Sequence, residues 1–137
     1  MKTYIKFALL IILFSSCGGT YENDDIVWEK AFNEEKPDEI NLSHSYFWKS
    51  SHWTYECIIY MEIGYNQKWL LSKIKEYKMD ATLDFTKAGI GLFDERPHWF
   101  APKTEENYIL FKSKVSPELM ILLDKKTNVM YFTYTQL

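Results

Sequence analysis

At 137 residues with a formal net charge of −3, the chain has room for about one domain and lacks the basic surplus that nucleic acid binding calls for. Two cysteines are too few for a disulfide scaffold, so stability must come from packing. The composition supplies what packing needs, because aromatic residues make up 18 % of the chain and large rings let a small domain build an adequate core.

The chain begins with a short positive segment, Lys2 and Lys6, and continues into an uncharged apolar run from Phe7 to Phe14. Charge followed by a short apolar stretch has the form of a secretory signal. The run is well short of the roughly 20 apolar residues that cross a bilayer as a helix. It ends in Phe14-Ser15-Ser16-Cys17, which resembles the lipobox of bacterial lipoproteins, with Phe14 where that family usually carries Leu. The resemblance implies cleavage before Cys17 and acylation of its thiol and new amino group. Residues 1–16 are then a signal peptide, and the mature chain loses two lysines and becomes more acidic. Location follows from the same resemblance: the cell envelope, lipid-anchored, at the bacterial outer membrane. An ordinary secreted protein with an incidental Cys17 is the alternative.

Residues 17–25 are polar, small and acidic at the end, which reads as a lipidated flexible tether. Residues 26–137 read as a single α+β domain. Val27, Trp28, Ala31 and Phe32 fall at helical spacing, and the charged stretch around Pro37 breaks the pattern. Residues 40–51 have weak periodicity, with Phe47 and Trp48 expected to pack on the domain. Residues 53–64 alternate with period two, placing Tyr55, Cys57, Ile59, Met61 and Ile63 on one side of a strand. Asn66 is a suitable cap for a helix over 67–78 with Leu70, Leu71, Ile74 and Tyr77 as its apolar stripe and its lysines on a solvated face.

A short strand is expected over 81–85. Prolines at both ends of 97–102 exclude a regular helix or central strand, so residues 94–102 read as an ordered loop pinned by Trp99 and Phe100. Strands follow at 108–113, 119–123 and 129–135. Between the last two, Asp124 suits the opening of a turn and Asn128 a left-handed conformation. These strands form an antiparallel meander. Together with the strand–helix unit they predict a small antiparallel sheet with one main helix packed on one face. The segment Pro97-His98-Trp99-Phe100-Ala101-Pro102 also resembles a turn of small exported bacterial proteins, where it precedes a terminal hairpin. That resemblance implies a fold and no activity.

Catalytic patterns are sparse. His44 and His52 are not at helical spacing and no Cys-x-x-Cys accompanies them, so neither a metal site nor any cofactor is expected. Cys57 stands mid-strand among apolar neighbours, which hides a thiol and raises its pKa. There is no Gly-x-Ser-x-Gly elbow or phosphate-cradling loop, and the chain is not expected to be an enzyme. Arg96, His98 and Trp99 of the proline-flanked loop, with Trp48 and Trp53 of the aromatic segment, are the candidate binding residues. Two functions fit: a membrane-anchored, non-catalytic domain that binds another protein, in the manner of an immunity or inhibitor lipoprotein, or a small-ligand module that stacks glycans on residues 46–55. Its expected partners are the membrane, through lipid on Cys17, and a protein, with no nucleic acid.

Overall fold

The computed structural model describes residues 18–51, 55–82, 96–100 and 108–136. These form strands β1 (Gly19–Glu22), β2 (Leu42–Lys49), β3 (Cys57–Gly64), β4 (Met79–Thr82), β5 (Tyr108–Ser113), β6 (Met120–Asp124) and β7 (Val129–Gln136). Helix α1 (Ile26–Phe32) lies between β1 and β2, and α2 (Gln67–Glu76) between β3 and β4. The strands make one antiparallel sheet in the order β1-β2-β3-β7-β6-β5-β4. It consists of two meanders, β1-β2-β3 and β4-β5-β6-β7. Helix α2 carries the chain from one to the other, and β3 and β7 join them at the centre.

Local chemistry explains the helix ends. The Asp24 carboxylate accepts from the Ile26 N–H at 2.9 Å and so starts α1, while Asn33 closes it at φ 53° by donating its N–H to Glu29 O. Asn66 caps α2 as its sequence position suggests, its Oδ1 accepting from the Trp69 N–H at 2.9 Å. Lys78, at φ 49°, turns the chain out of the helix and into β4.

Both helices cover one face of the sheet. Phe32 lies 4.7 Å from Trp28, 5.7 Å from Trp69 and 5.0 Å from Phe132 between ring centroids, so α1, α2 and β7 share one aromatic cluster. Phe47, Ile59, Met61, Ile63, Ile121 and Met130 complete the core beneath it. The indole N–H groups of Trp28 and Trp69 are buried with no hydrogen-bond partner among the described residues. An unpaired buried donor costs about 1–3 kcal/mol. A ring burying roughly 150–250 Å² at about 25 cal/mol/Å² contributes about 4–6 kcal/mol, so burial prevails.

Several expectations need correction. The sheet is the dominant element rather than a small platform for one helix. Gly19–Glu22, placed in the tether by its polar composition, pairs with β2 in the register Gly19↔Lys49 to Glu22↔Tyr46. The strand expected from Trp53 begins at Cys57, and the one expected over 81–85 starts earlier, at Met79, with residues 83–85 outside the described residues. In α2, Trp69 enters the core and Leu71 stays 56 % exposed. Lys73 leaves the solvated face altogether: its ammonium is buried 3.2 Å from Glu34, 3.0 Å from Glu76 and 4.6 Å from the Phe32 ring centroid. A long aliphatic stem with two carboxylates at its tip makes that burial tolerable.

The β6–β7 hairpin follows its sequence reading closely. The Asp124 carboxylate accepts from the N–H groups of Lys126 at 2.8 Å and Thr127 at 3.2 Å, and Asn128 adopts φ 54°. Burial alone would raise the Asp124 carboxyl, but these hydrogen bonds and the Lys126 charge outweigh it and hold the group below its ordinary value. A carboxyl depressed in the folded state stabilises fully above its unfolded pKa of about 3.9, and that stability disappears as pH falls through the folded value. Asp124→Asn keeps the turn acceptor and removes the titration. Denaturant unfolding of this variant between pH 6 and pH 2 is expected to show a shallower acid loss than the parent protein.

Candidate functional site

Among the described residues the best-defined surface site lies where β1 ends and β2 begins, on the sheet face opposite the helices. Asn23 leaves β1 at φ 50° and donates its N–H to Ser45 O at 2.8 Å. The buried Ser45 hydroxyl accepts from the Asp24 N–H at 3.1 Å and donates to Asp24 O at 3.2 Å. These bonds fix the β1–α1 turn against β2. On the exposed side of the turn, Asn23 Oδ1 lies 3.3 Å from His44 Nδ1, within hydrogen-bond distance.

A second turn completes the site. Phe100 donates its N–H to Pro97 O at 2.9 Å, which places His98 and Trp99 at the tip of a tight turn. Phe100 is 1 % exposed, and its ring centroid lies 4.6 Å from that of Tyr60 and 5.5 Å from that of Tyr131. Phe100 therefore plugs the second face of the sheet. Trp99 was expected to share that role. It instead remains half-buried and stacks on the His44 imidazole at 5.2 Å, with the planes 21° apart. The two rings meet edge-to-face at 6.0 Å on the same face of the sheet, Phe100 fully buried and Trp99 at the rim.

Glu22, Asn23, His44, Tyr46, Pro97, His98 and Trp99 line a cleft of about 270 Å³. The arrangement combines a flat indole–imidazole stack, a phenol and a carboxylate, which suits non-covalent contact with a mixed polar and aromatic surface. Deeper in the same face, burial and then the charge of Glu62 push the Tyr131 phenol up to about 12, with lesser contributions from Tyr108 and Asp124. It remains a protonated donor at neutral pH.

The sequence candidates are divided by this geometry. His98 and Trp99 come together with His44, while Arg96, exposed just before the turn, is not among the residues that line the cleft. Trp48 belongs to a different, open cleft of about 450 Å³ with Gly18, Gly19, Thr20, Lys49, Ser50, Ser51 and Glu56. Trp53, His52 and residues 94, 95, 101 and 102 lie outside the described residues, and so does Cys17. Within the aromatic segment, Tyr46 and Trp48 occupy one face of β2 and Phe47 enters the core from the other, so they do not present a coplanar set. Sequence reasoning missed Glu22, Asn23, His44 and Tyr46 as neighbours, because the β1–β2 pairing that joins them has no strong alternation to announce it.

Cys57 is buried, and burial pushes its thiol up more than Lys49 and the Gln136 backbone lower it. Among the described residues no group of three or more His, Cys, Asp and Glu is placed to hold a metal ion, and no helix is long and apolar enough to cross a membrane. Phe100→Ala is expected to destabilise the domain by about 3–5 kcal/mol, the range for large aromatics truncated in cores. Trp99→Ala should cost less, because part of its ring remains in water. Chemical denaturation of the two variants measures the difference. No protein-family model matches the chain, and neither curated proteins nor solved structures give a significant match to it.

Proposed function

We propose that the protein is a membrane-anchored, non-catalytic lipoprotein domain of the bacterial cell envelope that binds another protein. The anchor is lipid on Cys17, added after removal of residues 1–16, and the binding surface is the cleft around the His44–Trp99 stack. One observation carries the choice of surface. Trp99 keeps part of its ring exposed on a turn whose own anchor is the fully buried Phe100, so the fold positions the indole at the rim of the cleft. Tryptophan and arginine are enriched among the residues that dominate protein interfaces, and Arg96 lies three residues away. The cleft is also well placed for a partner, since Glu22 closes β1 at the end opposite Gly18 and the lipid.

A second reading, a small-ligand or glycan-binding module, draws support from the same indole and from Glu22 and Tyr46 beside it. A single stacked ring in an open cleft favours it less than a row of exposed rings would. Neither reading needs a metal or a cofactor.

Affinity capture from the membrane fraction separates these possibilities. Cys17→Ser should abolish incorporation of a fatty-acid analogue and release the protein from membranes. Trp99→Ala should stay acylated and folded yet lose its co-purifying protein, and Arg96→Ala should weaken the capture. Label retained by the Cys17→Ser protein contradicts the anchor. Undiminished capture by Trp99→Ala contradicts the binding surface, and a glycan array that responds to Trp99 favours the second reading.

A further inference from the structure

The sheet begins almost at the anchor. Between Cys17 and β1 stands a single residue, Gly18, and that residue has no slack. A Cβ added at Gly18 would lie 2.8 Å from both Cα and N of Ser51, so the glycine is pressed against the chain that leaves β2. Consecutive Cα atoms are about 3.8 Å apart, so an acyl group on Cys17 is held within about one residue of the sheet end. This rests on the lipid anchor proposed above. A domain joined so closely cannot drift away from the bilayer, and some part of its surface must face the headgroups.

The register identifies that part. Gly19 pairs with Lys49, Lys49 with Cys57, and Cys57 with Gln136, which aligns the start of β1, the end of β2, the start of β3 and the end of β7 at one edge of the sheet. The β5–β6 loop reaches the same end. Its conformation is set by the Ser113 hydroxyl, which donates to Tyr77 O at 2.9 Å and accepts from the N–H groups of Val115 and Ser116. Ser116 and Tyr55 line one cleft there, together with Cys57 and Gln136.

Chemistry at this end matches a membrane interface. Tyr55 is 59 % exposed and Val115 56 %. The Lys49 ammonium sits 4.4 Å from the Tyr55 ring centroid, and Lys114 is exposed next to Val115 in an ion pair with Asp80 at 2.8 Å. Tyrosine with its polar tip, and lysine with a long apolar stem and a cationic head, are the side chains suited to the headgroup layer. We infer that the sheet end carrying Lys49, Tyr55, Lys114 and Val115 rests on the headgroups of the membrane that holds the Cys17 lipid. The domain then stands on the bilayer in one orientation, with the His44–Trp99 cleft and the β6–β7 hairpin directed away from it.

Depth measurement tests this in the full-length acylated protein, reconstituted into vesicles of phosphatidylethanolamine and phosphatidylglycerol. Spin labels are placed singly through Val115→Cys, Tyr55→Cys and, at the opposite end, Lys125→Cys; the buried Cys57 is protected by the fold. Mass spectrometry first confirms the acyl group. Labels at positions 55 and 115 should collide several-fold less often with a water-soluble nickel chelate than the label at 125. They should also gain access to dissolved oxygen, and both effects should vanish in detergent-free soluble protein made with Cys17→Ser. Equal chelate access at all three positions in acylated, vesicle-bound protein overturns the orientation and leaves the anchor intact. Absence of an acyl group on the parent protein removes the anchor and the orientation together.

Discussion

Pairing of β3 with β7 is the constraint on which the rest of the molecule depends. Eight registered pairs, from Cys57↔Gln136 to Gly64↔Val129, join two meanders that would otherwise be separate small sheets. A three- or four-stranded meander alone has two open edges with unpaired backbone groups. The central pairing removes an edge from each and fixes which side chains meet the helices. A slip of one residue would turn Ile59, Met61 and Ile63 away from Trp28, Phe32 and Trp69, so hydrophobic burial enforces the register. The same register sets the two ends of the sheet, with Gly18 at one and the His44–Trp99 cleft toward the other.

Polar groups inside this frame act as fasteners for the loops. Ser45 holds the β1–α1 turn, Ser113 the β5–β6 loop and Asp124 the final hairpin, each by accepting or donating to backbone at 2.8–3.2 Å. Each bond contributes only about 0.5–1.5 kcal/mol net, yet leaving such a buried group unpaired costs more. Lys73 works at larger scale, bridging the segment after α1 and the end of α2 through Glu34 and Glu76. Burial raises the Tyr77 phenol beside it to about 12, with Glu76 adding to the effect, so that ring stays neutral against the two carboxylates. The fold is thus fastened by specific pairs around a nonspecific aromatic core.

How much of this was legible in the sequence depended on whether one face of an element met water. The alternation of β3 and the turn chemistry of Asp124 and Asn128 were readable because each is a local rule with few competitors. Strand β2 was not, because Tyr46, Phe47 and Trp48 are covered to differing degrees on both faces and the polar Ser45 is buried among them. Strand β1 is short, polar and exposed, as edge strands often are, and its composition is that of a linker. Leu71 and Lys73 exchanged their expected roles because tertiary partners decide such positions: Phe32 and two carboxylates accept the lysine, and the leucine stays 56 % exposed among the described residues. The cleft was half visible. His98 and Trp99 could be singled out by their proline-flanked turn, but His44 and Glu22 joined them through the β1–β2 pairing that sequence did not reveal.

Anchor, sheet and cleft form one account only if Gly19–Glu22 is a strand rather than a tether. In that case a continuous sheet, and no flexible linker, separates the proposed lipid from the proposed binding surface. Hydrogen exchange of the full-length protein, read by mass spectrometry on peptides covering residues 18–25, measures this directly. The account predicts that the amides of β1 that face β2, together with the Asn23 N–H bonded to Ser45 O, exchange slowly, at rates closer to those of β2 than to those of an unstructured peptide. Exchange of the whole segment at unstructured-peptide rates, with β3 and β7 still protected, would contradict it.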